Sequence, residues 1–215
     1  MYTLDDFSIP TEERNDADAW LHEAYCWDME GEYDKAVFCM TKAVELGNVL
    51  ACNYLADYYA DGHGVAQDYV RAAELYARVA TYREPIGVEG YRLQSMAAYI
   101  LGTFHEKGLL PDASPTLVAE WYHKAMNDAK DIRFPTPAFA LAYLYLDGRG
   151  VEQNATKAFE LVRDAIPHLF DGGDEPQVRT LCLRLLECED IAANEEYREF
   201  LQDQADRLCK TGCPF

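Results

Sequence analysis

The run Asp61-Gly62-His63-Gly64-Val65 returns later in the chain as Asp147-Gly148-Arg149-Gly150-Val151. In both places it lies between the end of one apolar-periodic stretch and the start of another. Glycine reaches the positive φ values that close a helix, and the valine that follows can fold back onto a core. Asp68 and Asn154 stand where the next helix needs an N-cap. A helix, a Gly-x-Gly turn and a second helix, written twice, point to a repeat architecture before any other feature is weighed.

The register extends to weaker copies. Trp20, Ala24 and Trp27 fall onto Cys52, Ala56 and Tyr59, then Ala98, Gly102 and His105, then Ala138, Ala142 and Tyr145, at steps of 32, 46 and 40 residues. In the second helices Ala36, Met40 and Ala43 fall onto Ala72, Tyr76 and Val79, then Val118, Tyr122 and Ala125, then Ala158, Val162 and Ala165. Small residues at Ala24, Ala56, Gly102 and Ala142 let a partner helix come close, and the aromatic positions fill the space beside them. The pattern predicts an all-α fold, an α-α superhelix (solenoid) of about four helix-turn-helix repeats, because one pair cannot bury its face alone. The units are expected at about 17–48, 49–81, 95–128 and 136–166, making a repeat solenoid over 16–166.

Asp16 caps the first helix, Gly31 ends it, and Leu46-Gly47 ends the second. The third turn, Lys107-Gly108-Leu109-Leu110, is followed by Ser114-Pro115, a cap and first-turn pair. Longer joints are expected over Thr81–Gln94 and Ala129–Pro137. Residues 1–15 read as a mobile acidic arm, with Pro10 barring a regular helix. After Pro167, residues 167–215 are expected to form a C-terminal capping pair, near 177–191 and 195–210, the latter capped by Asn194.

These residues resemble the Sel-one-like repeat (SLR) family, a relative of the tetratricopeptide repeat. Leu55-Ala56, Tyr59, Gly62-His63-Gly64-Val65 and Ala72-Ala73-Glu74-Leu75-Tyr76 carry the resemblance best. Leu141-Ala142, Tyr145, Gly148-Arg149-Gly150-Val151 and Ala158 repeat it, and Leu101-Gly102, Gly108 and Glu120-Trp121-Tyr122 match with His105 at the usual tyrosine position. The first unit, Gly31-Glu32-Tyr33-Asp34-Lys35-Ala36, is closer to a tetratricopeptide repeat. The resemblance implies an adaptor or scaffold holding a partner protein or peptide on a concave face formed by the first helices. Some secreted members carry a disulfide between cysteines eight residues apart. Cys52 occupies one such position, but Val44 occupies the other.

Thirty-eight acidic residues oppose nineteen basic ones, for a formal charge of −19. That balance argues against a phosphate backbone, which needs Lys and Arg to displace counterions, and against an anionic membrane surface. It permits steering toward a basic protein, though charge alone specifies no partner. The start, MYTLDDFSIPTEER, has no cationic or apolar leader region, and no apolar run approaches the roughly 18 residues of a membrane span. The expectation is a cytoplasmic protein, monomeric or weakly dimeric, whose seven cysteines are thiols.

No nucleotide, hydrolase or metalloprotease motif is present, so no catalytic residue, metal or cofactor is expected. Counting around the first helices places Tyr25, Asp28, Asn53, Asp57, Asp61, Tyr99, Thr103, Glu106, Phe139, Tyr143 and Asp147 on the partner-binding face. Acid mixed with aromatic side chains suits a basic segment. The leading reading is therefore a non-catalytic protein–protein interaction module. An alternative is an acidic inhibitor or immunity-type protein that neutralises a basic toxin. A third is a metal protein or enzyme built on His105 and His123, or on Cys182, Cys188, Cys209 and Cys213. His105 sits at a core position, and Cys26 and Cys39 read as small core residues.

Overall fold

The computed structural model describes residues 2–10, 13–83, 87–128, 134–169 and 175–211. It is an all-α repeat solenoid, with eleven α-helices and no strand among the described residues. Helix α1 (Ala17–Met29) pairs with α2 (Tyr33–Glu45), and α3 (Val49–Asp61) with α4 (Tyr69–Ala80). Helix α5 (Gly87–Glu106) packs on α4 and ends the helices of the first unit; α6 (Pro115–Asp128) opens the second, where α7 (Thr136–Asp147) pairs with α8 (Ala155–Ala165). Helices α9 (Glu175–Leu186), α10 (Glu189–Ala192) and α11 (Glu195–Thr211) follow. The chain divides into two compact units, Met1–Pro111 and Asp112–Phe215.

Two boundaries differ from the sequence reading. The joint expected to run to Gln94 gives way to helix at Gly87. Gly87 and Gly90 lie in the first turn, where few intrahelical hydrogen bonds depend on them. Among the described residues the capping region holds three helices rather than two, because the chain leaves α9 after Leu186 and restarts as the single turn α10.

The caps form as the sequence implies. Asp16 accepts from the Asp18 N–H at 2.9 Å, Asp68 from Val70 and Arg71 at 3.1 Å, and Asn154 from Lys157 at 2.9 Å; Asn48, not singled out from the sequence, caps α3 by accepting from Ala51 at 2.8 Å. The two glycines of each turn do different work. Gly62 (φ 76°) and Gly148 (φ 65°) are left-handed C-caps whose N–H groups return to the Tyr58 and Leu144 carbonyls. Gly64 and Gly150 make the close approach. A Cβ on Gly64 would stand 2.4 Å from the Tyr33 carbonyl carbon, and one on Gly150 would stand 1.9 Å from the Pro115 carbonyl oxygen. Each turn thus rests on the backbone that opens the second helix of the pair before it.

All twelve second-helix positions in the register are buried, as are Ala24, Ala56, Gly102 and Ala142. In the second unit, Phe159 of α8 stacks on Tyr197 of α11 at 4.0 Å, and Val178, Leu181, Leu185 and Leu201 complete an apolar centre. Asn194 accepts from the Tyr197 N–H at 3.2 Å and caps α11.

Two sequence expectations fail here. Residues 2–9 are not a free arm. Phe7 and Ile9 are buried; Phe7 stacks on Phe38 at 4.8 Å and meets Trp20 edge-on at 5.8 Å. Glu23 accepts from both the Ser8 N–H and the Trp27 indole, and Tyr2 donates to Asp34. Pro10 stops a helix but does nothing to stop extended chain from packing. Cys26 is exposed rather than buried. Its counterparts pack on the pair before them, Tyr58 on Tyr33 at 6.2 Å and Phe104 on Tyr69 at 5.3 Å. Cys26 lies in the first pair, with no earlier pair to meet.

Gly150→Ala and Gly64→Ala should each lower stability by about 3 kcal/mol or more in chemical denaturation, combining left-handed strain with a backbone clash. Gly108→Ala, at φ 67° with open space around it, should cost only about 1–2 kcal/mol. Phe7→Ala should cost about 3 kcal/mol in the same measurement, whereas a loose arm would show no change.

Candidate functional site

On α3, Leu50, Asn53, Tyr54, Asp57 and Asp61 share one stripe, spaced three or four residues apart. Neighbouring α1 contributes Tyr25, Asp28 and Met29. The Tyr25 and Tyr54 rings meet edge to face at 5.2 Å, each 36% exposed. Met29 is 88% exposed and Leu50 is also open. Four large apolar side chains therefore stand at the surface of adjacent first helices, beside carboxylates. Tyr54, Leu50 and Met29 were not singled out from the sequence. The signal was available, since Leu50 and Tyr54 precede Asp57 on the same stripe.

The acids on this face are not all free. The Tyr58 hydroxyl of α3 donates to Asp28 of α1 and ties the two pairs together. The Tyr76 hydroxyl of α4 donates to Asp57 Oδ1, and Asn53 Nδ2 donates to Asp57 Oδ2 at 3.3 Å. Burial, then the neighbouring carboxylate, hold the Tyr58 and Tyr76 phenols above their ordinary range, so both remain donors at neutral pH. Burial also raises the Asp57 carboxyl; Asp61 adds to the rise and the Tyr76 hydrogen bond opposes it. Asp61 is exposed. Asn53, expected on the open face, is instead buried at 9% exposure. On α5, Tyr99 and Thr103 are half-buried, Thr103 returning its hydroxyl to the Tyr99 carbonyl at 3.0 Å, and Glu106 is exposed.

The second unit uses the predicted positions otherwise. Phe139 is buried at 5% exposure and belongs to the core. Tyr143 donates to the Gln177 carbonyl at 2.8 Å, and Arg184 of α9 reaches Asp147 Oδ1 at 2.6 Å. The Arg184 guanidinium also lies 5.7 Å from the Tyr143 ring centre. The cap covers what the sequence counted as open surface, because helical periodicity cannot tell a face awaiting a partner from one awaiting a later segment of its own chain.

Among the described residues the histidines and cysteines form no centre. His105 is buried in the first unit at its core position. His123, in the second, has its Nε2 3.1 Å from the Tyr145 hydroxyl, and burial and Lys157 hold its pKa down. Burial pushes the Cys39 and Cys182 thiols up to about 12, away from the reactive thiolate. The Cys209 side chain and Cys213 lie outside the described residues. Among the described residues, no group of three or more His, Cys, Asp or Glu could hold a metal ion, and no helix is long and apolar enough to cross a membrane.

The Sel1 repeat family model matches residues 28–48, 49–81, 95–127 and 138–165. The ERAD-associated E3 ubiquitin-protein ligase component HRD3A of Arabidopsis thaliana is 27% identical over 156 residues, 73% of this chain and 20% of its own length. Among solved structures, c5321, a protective antigen of uropathogenic Escherichia coli with an SLR fold, superposes with a TM-score of 0.69 at 22% identity. That match covers 93% of this chain and 38% of the antigen, and it bears on fold alone. A Sel1 repeat protein from Oxalobacter formigenes gives a TM-score of 0.48 at 22% identity, over 76% of this chain and 95% of its own. The chain thus spans about a fifth of the plant relative and about two fifths of the antigen.

Asp57 carries a testable sign. A carboxyl whose folded pKa is raised contributes stability that is complete below its unfolded pKa and lost as pH rises through the folded value. At pH 7 its charge therefore opposes folding. Asp57→Asn, which keeps an oxygen for Tyr76, should raise Tm at pH 7 and give a smaller gain at pH 4. An equal shift at both pH values would contradict the assignment.

Proposed function

Because the chain belongs to the Sel1 repeat family, whose members are generally protein–protein interaction scaffolds, we propose that it is a non-catalytic module that takes a basic protein segment on the first-helix face of its first unit. The observation that carries this reading is the Tyr25–Tyr54 pair, open to solvent together with Met29 and Leu50 and bordered by Asp57 and Asp61. Rigid aromatic side chains give contact area at low entropic cost, and the surrounding carboxylates steer a cationic chain and select against acidic ones. Tyr99, Thr103 and Glu106 extend the polar side of the face along α5. Asp28 supports it indirectly, by holding Tyr58.

The relative HRD3A, named as a component of a ligase rather than as the ligase, is in keeping with a part that recruits and does not catalyse. The unpaired thiols of Cys26, Cys39, Cys52, Cys182 and Cys188 support a cytoplasmic setting, and we take the working state to be a monomer or weak homodimer that needs no cofactor.

Binding of a fluorescent basic peptide, followed by anisotropy, should weaken steeply between 50 and 300 mM salt (about tenfold or more). Tyr54→Ala should weaken it by about 1–2 kcal/mol through loss of an aromatic anchor. Asp61→Lys should weaken it further at low salt than at high salt. Affinity unchanged in both variants would remove this face from consideration.

A further inference from the structure

Carried along the repeat register, Phe38 of α2 falls onto Glu74, Glu120 and Glu160, and all three glutamates are exposed. Trp20 of α1 falls onto Cys52, Ala98 and Ala138. The first pair thus carries large rings where the other copies carry a surface acid and a small residue. Together with Trp27 these rings wall a socket, and Phe7 sits in it. Phe7 stacks on Phe38 at 4.8 Å with 3° between the ring planes, and meets Trp20 at 5.8 Å and Trp27 at 6.3 Å edge-on. Rings at these separations attract each other beyond the area they bury. The repeat is therefore altered at the place where residues 2–9 lie, and altered to receive them.

That segment is held as a docked peptide is held. Phe7 and Ile9 are buried, while Thr3, Leu4, Asp6, Ser8 and Pro10 are exposed. The Ser8 N–H, between the two anchors, donates to Glu23 at 3.0 Å, and the Tyr2 hydroxyl donates to Asp34. Alternate side chains in pockets with a main-chain hydrogen bond between them is how an extended peptide is recognised. Asp6 accepts from the Thr3 N–H at 2.6 Å and from the Thr3 hydroxyl at 2.9 Å, a turn that needs nothing from the helices. The segment lies on the outside of the pair. Leu4 is 40% exposed, and a cavity of about 430 Å³ stays open along α2, bordered by Tyr2, Phe38, Thr41 and Lys42. Residues 2–9 can leave the socket without any helix moving.

We propose that the socket of Trp20, Trp27 and Phe38 is a second protein-binding site, which takes residues 2–9 of another copy of this chain in exchange for its own. The segment in place shows the chemistry selected, a Phe-x-Ile core in extended form. Exchange replaces each contact with an identical one, so it needs no complementarity that the fold does not already have. Residues 10–16 join the segment to α1, and a tether this short gives an effective concentration on the order of millimolar. The chain's own segment therefore prevails in dilute solution. A second copy's segment enters where copies are crowded together, or where the first anchor is lost. The socket shares no residue with the first-helix face proposed for a basic segment.

Two variants of the full chain separate the parts. Phe7→Ala keeps the socket and loses the anchor, whereas Phe38→Glu keeps the anchor and takes the residue that the other copies carry. In sedimentation velocity each variant alone should be a monomer, and an equimolar mixture at about 100 µM should form a one-to-one complex. A fluorescein-labelled peptide of residues 2–10 should bind Phe7→Ala at least about tenfold more tightly than it binds the unaltered chain or Phe38→Glu. If Phe7→Ala does not fold, Ile9→Ala, which removes the other anchor, replaces it in both measurements. A mixture that stays monomeric while the peptide binds the anchor variant gives the socket to a segment of some other protein and overturns the exchange. Absence of peptide binding to the anchor variant overturns the socket itself. Neither failure touches the reading of the first-helix face.

Discussion

Backbone meets backbone where one helix pair rests on the next, and the rest of each unit follows from that contact. Gly64 lies against Tyr33 and Asp34, and Gly150 against Pro115 and Thr116, at distances no side chain would permit. The step between pairs is therefore smaller than a layer of side chains. A step that short brings Tyr58 within reach of Asp28 and Tyr33. It is also why alanines, not leucines, line the buried seams at Ala24, Ala56 and Ala142. The third turn is built differently. Gly108 has open space around it, and the buried Leu110 fills where the other turns have a second glycine.

Much of this was legible in the sequence, because glycine turns and small-residue seams are local signatures of a repeated contact. The caps at Asp16, Asp68 and Asn154 could be read from single residues, since capping depends on three or four neighbours in sequence. What could not be read depends on residues far apart in the chain. Nothing local says that Phe7 will lie on Phe38, or that Cys26 will lack the neighbour that Tyr58 has. Periodicity also placed Asn53 and Phe139 on an open face that the structure buries, because both sit at the margin of the stripe, where a small rotation of the helix decides.

The acidic balance of the chain, −19 in formal charge, overstates what a partner would meet. Asp28 and Asp57 are acceptors for tyrosine hydroxyls of neighbouring helices, Asp147 is neutralised by Arg184, and Asp34 receives Tyr2. These carboxylates belong to the frame. Neutral phenols are suitable partners for them, since they satisfy a carboxylate without bringing a second charge out of water. Of the acids counted onto the first unit's face, Asp61 and Glu106 are the exposed ones.

The docking of α9 over Tyr143 and Asp147 has a consequence for valency. A repeat protein with equivalent faces in both halves could hold two like ligands, or one long ligand at two points, and gain avidity from the pair. Here the α7 position is filled by the chain's own Arg184, so on the reading proposed above only the α3 position is left to a partner among the described residues. Bridging two partners of the same kind would then take two copies of the chain, and the affinity of one copy rests on one set of contacts alone.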